Sequence, residues 1–355
     1  MVIFREIRVI TKEVNIVMLI NKTIYLLMVV IAFLGLVYAG DYDSDLKDEE
    51  KDKGMDYTTT MVWLGMDPGG RPAGMGKAFT SISDDANATY WNPAGLGFLQ
   101  MREVNFMHEP RSFEGGNDDL GGMFYDFASF VFPAGKLGNL GIGFLYHDHG
   151  KSEARDDQGN LIGIIHSYAF SPSISIGRMI TKTISVGTTF RYAYEHLTDD
   201  AKMNTYAFDF GFLMRPEFAK GRFGYAFVLK NIGKEPKEDQ PIPRSLRLGV
   251  DCVLLSDRLN DLVVAFDYSK ELIKIDKSFK EEVFEQGVFR FGFEYFYVDI
   301  VGFRAGYYHD MQGDISGPTF GFGVRYKGLV FDFGNIPEGD DSFGRENRFS
   351  FSYMF

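Results

Sequence analysis

Cysteine is nearly missing from this chain: Cys252 stands alone among 355 residues. An internal disulfide framework is therefore excluded. Tryptophan is scarce too, with two residues, although Phe and Tyr number 35 and 19. There is no basic excess. Lys and Arg total 37 against 49 Asp and Glu, a formal net charge of −12. Phosphate binding needs a basic footprint, so no nucleic-acid partner is expected. Past Tyr38 no eighteen consecutive residues are apolar, so no later helix is long enough to span a bilayer. A chain of this kind can enter lipid only as a closed barrel, which satisfies all its backbone hydrogen bonds internally.

Catalytic motifs are also lacking. The stretch GGRPAGMGKAFT looks like a phosphate loop. A P-loop, however, needs Gly, four residues, then Gly-Lys-Ser/Thr. Here Arg71 holds the glycine position and Ala78 follows Gly76-Lys77. The glycines are better suited to tight turns and close backbone approach. No nucleophile elbow or Ser-His-Asp arrangement stands out, so no enzyme and no cofactor are expected. His147, Asp148 and His149, with Glu153 nearby, are metal-ligand types. They sit where a strand runs into polar sequence, so a solvated loop is expected there and no metal.

What is present begins with a targeting segment. Residues 24–38 are apolar, follow Lys22 and close on Val37-Tyr38-Ala39, as in a secretory signal peptide cleaved after Ala39. A membrane anchor is the alternative for this stretch. Residues 1–17 are unusual before such a segment, and Met18 is the expected start, with 1–17 a start-site artefact. An acidic, solvated linker follows over residues 40–60.

From Arg102 onward the sequence alternates. Phe289, Phe291, Phe293, Tyr295 and Tyr297 share one face, against Arg290, Gly292 and Glu294. Tyr206 to Met214 and Leu246 to Leu254 repeat the pattern, with Cys252 on the apolar face. A period of two is a strand signal. About fourteen such segments follow one another, separated by markers such as Lys220-Gly221 and Lys327-Gly328. Aromatics dominate one face; Gly and charged residues fill the other. That division suits lipid outside and a wet lumen inside better than a soluble sandwich. Asp209, Arg247, Asp251, Asp267, Arg290, Glu294, Arg304, Arg325 and Asp332 are the candidate lumen charges. The expected fold is all-β: a transmembrane antiparallel barrel of about 14 strands over residues 102–355. In the last strand Phe349, Phe351, Tyr353 and Phe355 share the apolar face. This resembles the closing strand of bacterial outer-membrane barrels, whose terminal aromatic is read by the barrel-assembly machinery.

Between linker and barrel lies RPAGMGKAFTSISDDANATYWNPAGL. Ser83 is placed to cap a short helix, Asp84 and Asp85 suit its positive end, and Ala86 to Trp91 supply one or two turns. Pro93 pushes Asn92 out of the helical region. Three motifs here, Gly74-Met75-Gly76, Asp84-Asp85 and Tyr90-Trp91-Asn92-Pro93-Ala94-Gly95, resemble the corresponding segment of the PorV/PorQ family, relatives of the FadL outer-membrane transporters. LKNIG at Leu229–Gly233 and PRSLRLG at Pro243–Gly249 support the resemblance.

The resemblance implies a FadL-like barrel in the bacterial outer membrane, with residues 61–101 as a small lumenal hatch. It implies gating roles for Asn92, Pro93 and Ala94. It also implies a component of type IX secretion that binds exported cargo or secretion-system proteins. A FadL-like channel for a hydrophobic solute and a purely structural outer-membrane protein are the alternatives.

Overall fold

The computed structural model describes residues 59–111, 122–217, 220–237, 240–272, 287–311, 315–337 and 345–355. The expected signal peptide, and the acidic linker up to residue 58, lie outside these residues. No helix among the described residues is long and apolar enough to cross a membrane.

Fourteen antiparallel strands close into one barrel in simple sequence order. They are β1 (Glu103–Arg111), β2 (Met123–Pro133), β3 (Asn139–Arg155), β4 (Leu161–Met179), β5 (Ile184–Thr198), β6 (Ala201–Met214) and β7 (Phe223–Gly233). The second half is β8 (Ser245–Ser256), β9 (Asn260–Glu271), β10 (Gly287–Tyr297), β11 (Val301–Asp310), β12 (Ile315–Tyr326), β13 (Leu329–Pro337) and β14 (Arg345–Met354). Each begins within three residues of where the alternation places it. The seam joins β1 to β14, from Glu103 opposite Met354 to His108 opposite Phe349. Closure leaves no sheet edge, which is the condition for a barrel in lipid.

Alternation sorts the side chains as the sequence pattern requires. Phe208, Phe210, Phe291, Phe303, Phe320 and Phe351 stand exposed on the outer face. The inner face carries charge, hydroxyls and glycine. All nine candidate lumen charges point inward; eight are buried, and Arg325 is half-buried. Cys252 lies on the outer face.

The two ends of the barrel differ. At one, strands are joined by short turns. Lys327-Gly328 forms a two-residue turn and Val298-Asp299 opens the three-residue β10–β11 turn, all four with positive φ (49° and 82°; 54° and 53°). Glycine takes that conformation freely. A β-branched valine does so only under strain of about 1–2 kcal/mol. The other end carries the longer connections. There β3 and β4 run on past their neighbours, and a bulge between Asp148 and Gly150 carries β3 through to Arg155. This corrects the loop expectation for His147: it is a buried, inward-facing strand residue. Glu153, also in β3, pairs with Arg155.

Phe351 faces outward and pairs with Phe331 and Phe106 across the ladder. Phe351→Lys is expected to cost about 2–4 kcal/mol near the midplane. Ser352 faces inward and donates to Asn105 across the seam (3.0 Å), so Ser352→Ala is expected to cost about 1 kcal/mol. The folded fraction on unheated detergent gels distinguishes the two. Equal yields would contradict the lipid-facing assignment.

Candidate functional site: the lumenal hatch

Residues 59–101 run down the inside of the barrel from the long-loop end to the tight-turn end, where they enter β1. Thr60 N donates to Pro241 O at the long-loop end (2.9 Å), and Arg102 N to Phe355 O at the other (3.2 Å). The segment holds only short helical pieces: a 3-10 turn Val62–Gly65, α1 (Gly70–Gly74), α2 (Ala88–Trp91) and a 3-10 helix Pro93–Phe98. Most of its residues are fully buried.

Close backbone approach sets how it seats. A Cβ on Gly74 would lie 2.9 Å from the Cα of Gly321 in β12. Gly76 has φ 62°, and a Cβ there would lie 2.5 Å from the carbonyl oxygen of Phe291. A Cβ on Gly292 in β10 would meet the Met75 carbonyl at 2.5 Å. Across the lumen, Gly187 in β5 and Gly211 in β6 leave room for Pro93 and Asn92. Glycine on the inner wall and glycine in the Gly-Met-Gly turn are thus two halves of one contact.

Wall side chains satisfy the hatch's backbone. Asp267 accepts from Phe79 N and Thr80 N (2.9 and 2.8 Å), and Glu103 accepts from Ala86 N (3.0 Å). Thr319 accepts from Gly76 N and Ser350 from Gly70 N (both 2.8 Å). A segment with so little helix has many orphan amides, and burial requires that each find a partner.

Two charged hubs add direction. Arg71 binds Glu294 of β10 with two nitrogens (2.7 and 2.8 Å) and reaches Asp84 (2.6 Å) and Asp85 (2.9 Å). Glu294 also accepts from Arg304 Nε (2.7 Å), and Arg304 pairs with Asp332 (2.7 Å). The second hub is Asp67, which meets Arg247 (2.6 Å) and Arg290 (3.7 Å). Its carbonyl accepts from Arg348, which also pairs with Glu109. Burial pushes the Asp67 carboxyl upward, but Arg247 and Arg290 outweigh it and hold the group far below the usual range. Burial raises Asp85, against the pull of Arg71.

The aromatic pair ties the segment together. Trp91 Nε1 donates to Pro68 O (2.9 Å), and Tyr90 OH donates to Leu64 O (3.0 Å). Lys230 Nζ donates to Tyr90 O (2.8 Å) and sits 3.2 Å from the Tyr90 ring centroid. Asn92 has an extended backbone (φ −156°, ψ 103°), ending α2 before Pro93. Its side chain accepts from Ala94 N (3.0 Å) and donates to Thr80 O (3.0 Å) and Phe212 O (3.3 Å). It therefore also starts the next helix, a second role the stop signal did not reveal.

Ser83 requires a correction. It is not a helix cap: it has φ 29°, and its hydroxyl donates back to Phe79 O (2.9 Å). Asp85 does that work instead, accepting from Asn87 N (2.9 Å) ahead of α2. Sequence reasoning missed Asp67, Arg71, Lys230 and Arg348. The LKNIG motif held the signal for Lys230. Asn231 takes φ 57° at a bulge in β7 and donates to Pro243 O (2.8 Å), so LKNIG and PRSLRLG meet there. Lys230 and Arg247, one from each motif, both reach the hatch.

These features can be set beside known proteins. A family model described as "Uncharacterised protein family (UPF0164)" matches residues 39–206, just under half of the chain. No curated protein sequence matches. Among solved structures, the Ralstonia pickettii toluene transporter TbuX superposes with a TM-score of 0.56 at 14% identity, covering 81% of this chain and 98% of that one. The Pseudomonas putida toluene transporter TodX gives 0.55 at 10% identity, covering 81% and 97%. The CymD monoaromatic hydrocarbon channel gives 0.53 at 14%, covering 81% and 96%. The fold is the closed antiparallel barrel that these transporters share. At such identities the likeness is one of fold, and it brings no support for the expected PorV/PorQ and type IX assignment.

Gly74→Leu is expected to unseat the hatch, because the Gly321 backbone cannot retreat from the new side chain. Trypsin would then cut after Lys77 while the barrel keeps its unheated gel mobility. Asp67→Asn is expected to loosen the hatch in the same assay, whereas acidification to pH 5 is not. A depressed folded-state pKa contributes stability above the unfolded value of about 3.9, lost only as pH falls through the still lower folded value. Cleavage of the wild type at pH 5 would contradict this.

Proposed function

We propose that this chain is an outer-membrane channel for a small hydrophobic solute, with the amino-terminal segment occupying the solute's place. One observation carries the reading. The inner wall carries many polar side chains and glycines, yet part of its largest buried apolar cluster forms a niche that takes the chain's own Met61, Trp63 and Leu64. Met107, Tyr125, Phe127, Leu145, Ala169 and Met203 supply its wall side. A wet lumen gains nothing from such a patch unless an apolar group visits it. The relatives described as toluene transporters and hydrocarbon channels favour the same reading, and none is described as an enzyme. Among the described residues, no feature of the hatch or rim favours the secretion-partner reading over it.

On this reading the aromatic outer face meets outer-membrane lipid, short turns face the periplasm and longer connections face outward. Phe349, Phe351, Tyr353 and Phe355 present the strand that the assembly machinery would read. Asn92, Pro93 and Ala94 narrow the path where they press on Gly187 and Gly211.

The test is uptake of a labelled monoaromatic hydrocarbon by intact cells producing the protein. Wild type is expected to exceed cells lacking it. Trp63→Ala removes burial worth about 3–5 kcal/mol and is expected to raise uptake several-fold. A structural or secretion protein would leave uptake unchanged in both, which would overturn the proposal.

A further inference from the structure

The tight-turn end holds a cavity of about 510 Å³ that the hatch does not fill. It lies between the β10–β11 turn, the β12–β13 turn and the seam where Met101 and Met354 meet. We propose that this cavity binds an apolar anion, with a carboxylate or sulfonate on Lys327 and Arg325 and a hydrocarbon body against Met101, Val298, Val330 and Met354.

The walls argue for the body. Val298 lines the cavity from a left-handed backbone position (φ 54°), where Asn or Gly would make the same turn without strain. What valine adds there is an apolar surface. Met101, Val330 and Met354 extend that surface from three other points of the rim. The volume falls within the range of small-molecule sites, roughly 300–1,000 Å³.

The charges argue for the anion. Arg325 and Lys327 line the same cavity, against a single acid, Asp299. Asp299 is committed to Arg325 Nη1 (2.7 Å). Arg325 Nε is buried with no hydrogen-bond partner among the described residues. Its guanidinium lies 3.8 Å from the Phe296 ring centroid, which fixes its plane. Lys327 sits over the Tyr326 ring (5.2 Å) and forms no ion pair among the described residues. Among the side chains that line the cavity, two cations and one acid leave one positive charge beside an apolar wall. A neutral hydrocarbon would leave that charge unanswered; a monoanion answers it. The site is built on the rim and stands whether or not a solute crosses the lumen.

The experiment uses the full protein in nanodiscs of zwitterionic lipid, titrated calorimetrically with 4-phenylbutyrate and with its neutral counterpart 4-phenylbutanol, empty nanodiscs serving as reference. The carboxylate is expected to bind saturably and about tenfold tighter than the alcohol. Lys327→Asn keeps the turn, since Asn tolerates the left-handed region, and is expected to abolish that difference. Val298→Asn is expected to weaken both probes while unheated gel mobility stays that of the folded barrel. Trp63→Ala, in the niche at the other end, is expected to change neither affinity. Non-saturable carboxylate binding, affinities untouched by both rim variants, or binding that follows Trp63 instead would overturn the proposal.

Discussion

A closed ladder of fourteen strands encloses more space than its own inward side chains can fill. Eight strands leave an interior that side chains pack; larger barrels leave a lumen. The rest of this structure answers that geometric fact. Something must occupy the lumen, and here it is the chain's own amino-terminal segment. Because that segment lies flat on the wall, both surfaces must be shaved to backbone at the points of contact. Gly74 against Gly321, Gly76 against the Phe291 carbonyl and Gly292 against the Met75 carbonyl are those points. The inner-face glycines of β5, β6, β10 and β12 thus mark where the hatch lies.

Such a segment cannot hold itself together. Its helices span four to six residues, too short to satisfy their own termini. The wall supplies what is missing, through Asp267, Glu103, Thr319 and Ser350. The charged hubs belong to the same economy. A buried ion pair contributes little net stability against an apolar replacement, but losing one partner is costly. Arg71 with Glu294, Asp84 and Asp85, and Asp67 with Arg247 and Arg290, therefore act mainly as a register. They fix which part of the hatch meets which strand.

This division explains what the sequence made legible. Strand identity was readable because a period of two is local, and Lys327-Gly328 announces its own turn. The end of α2 was readable because Pro93 acts on its immediate neighbour. Arg71 was not, because its partner Glu294 lies far along the chain and only barrel closure brings them together. Ser83 looked like a cap for the same reason of scale: local preference favoured it, while the tight turn after Phe79 claimed its hydroxyl. His147 was misplaced because the polar residues around it read as a loop, whereas β2 and β4 pair with it on both sides and keep it in the ladder. LKNIG and PRSLRLG were visible as words, but their meeting at Asn231 and Pro243 is a fact of three dimensions.

The two ends of the hatch are held by different forces. From Asp67 to Ala94 it is fixed by ion pairs, backbone bonds to the wall and glycine contacts that admit no sliding. From Met61 to Met66 it is fixed mainly by apolar burial, with Tyr90 and Tyr125 donating to the Leu64 and Met66 carbonyls. Burial is non-directional, and another apolar body can supply it equally well. Hydrogen bonds and ion pairs at fixed geometry cannot be replaced in that way. A hydrophobic visitor to the niche therefore competes with Trp63 and Leu64 on equal physical terms, while it has nothing to offer Arg71 or Asp67. On the proposed channel reading, the upper turn exchanges with a solute while the lower hatch stays seated. That asymmetry lets one short segment serve as both stopper and scaffold.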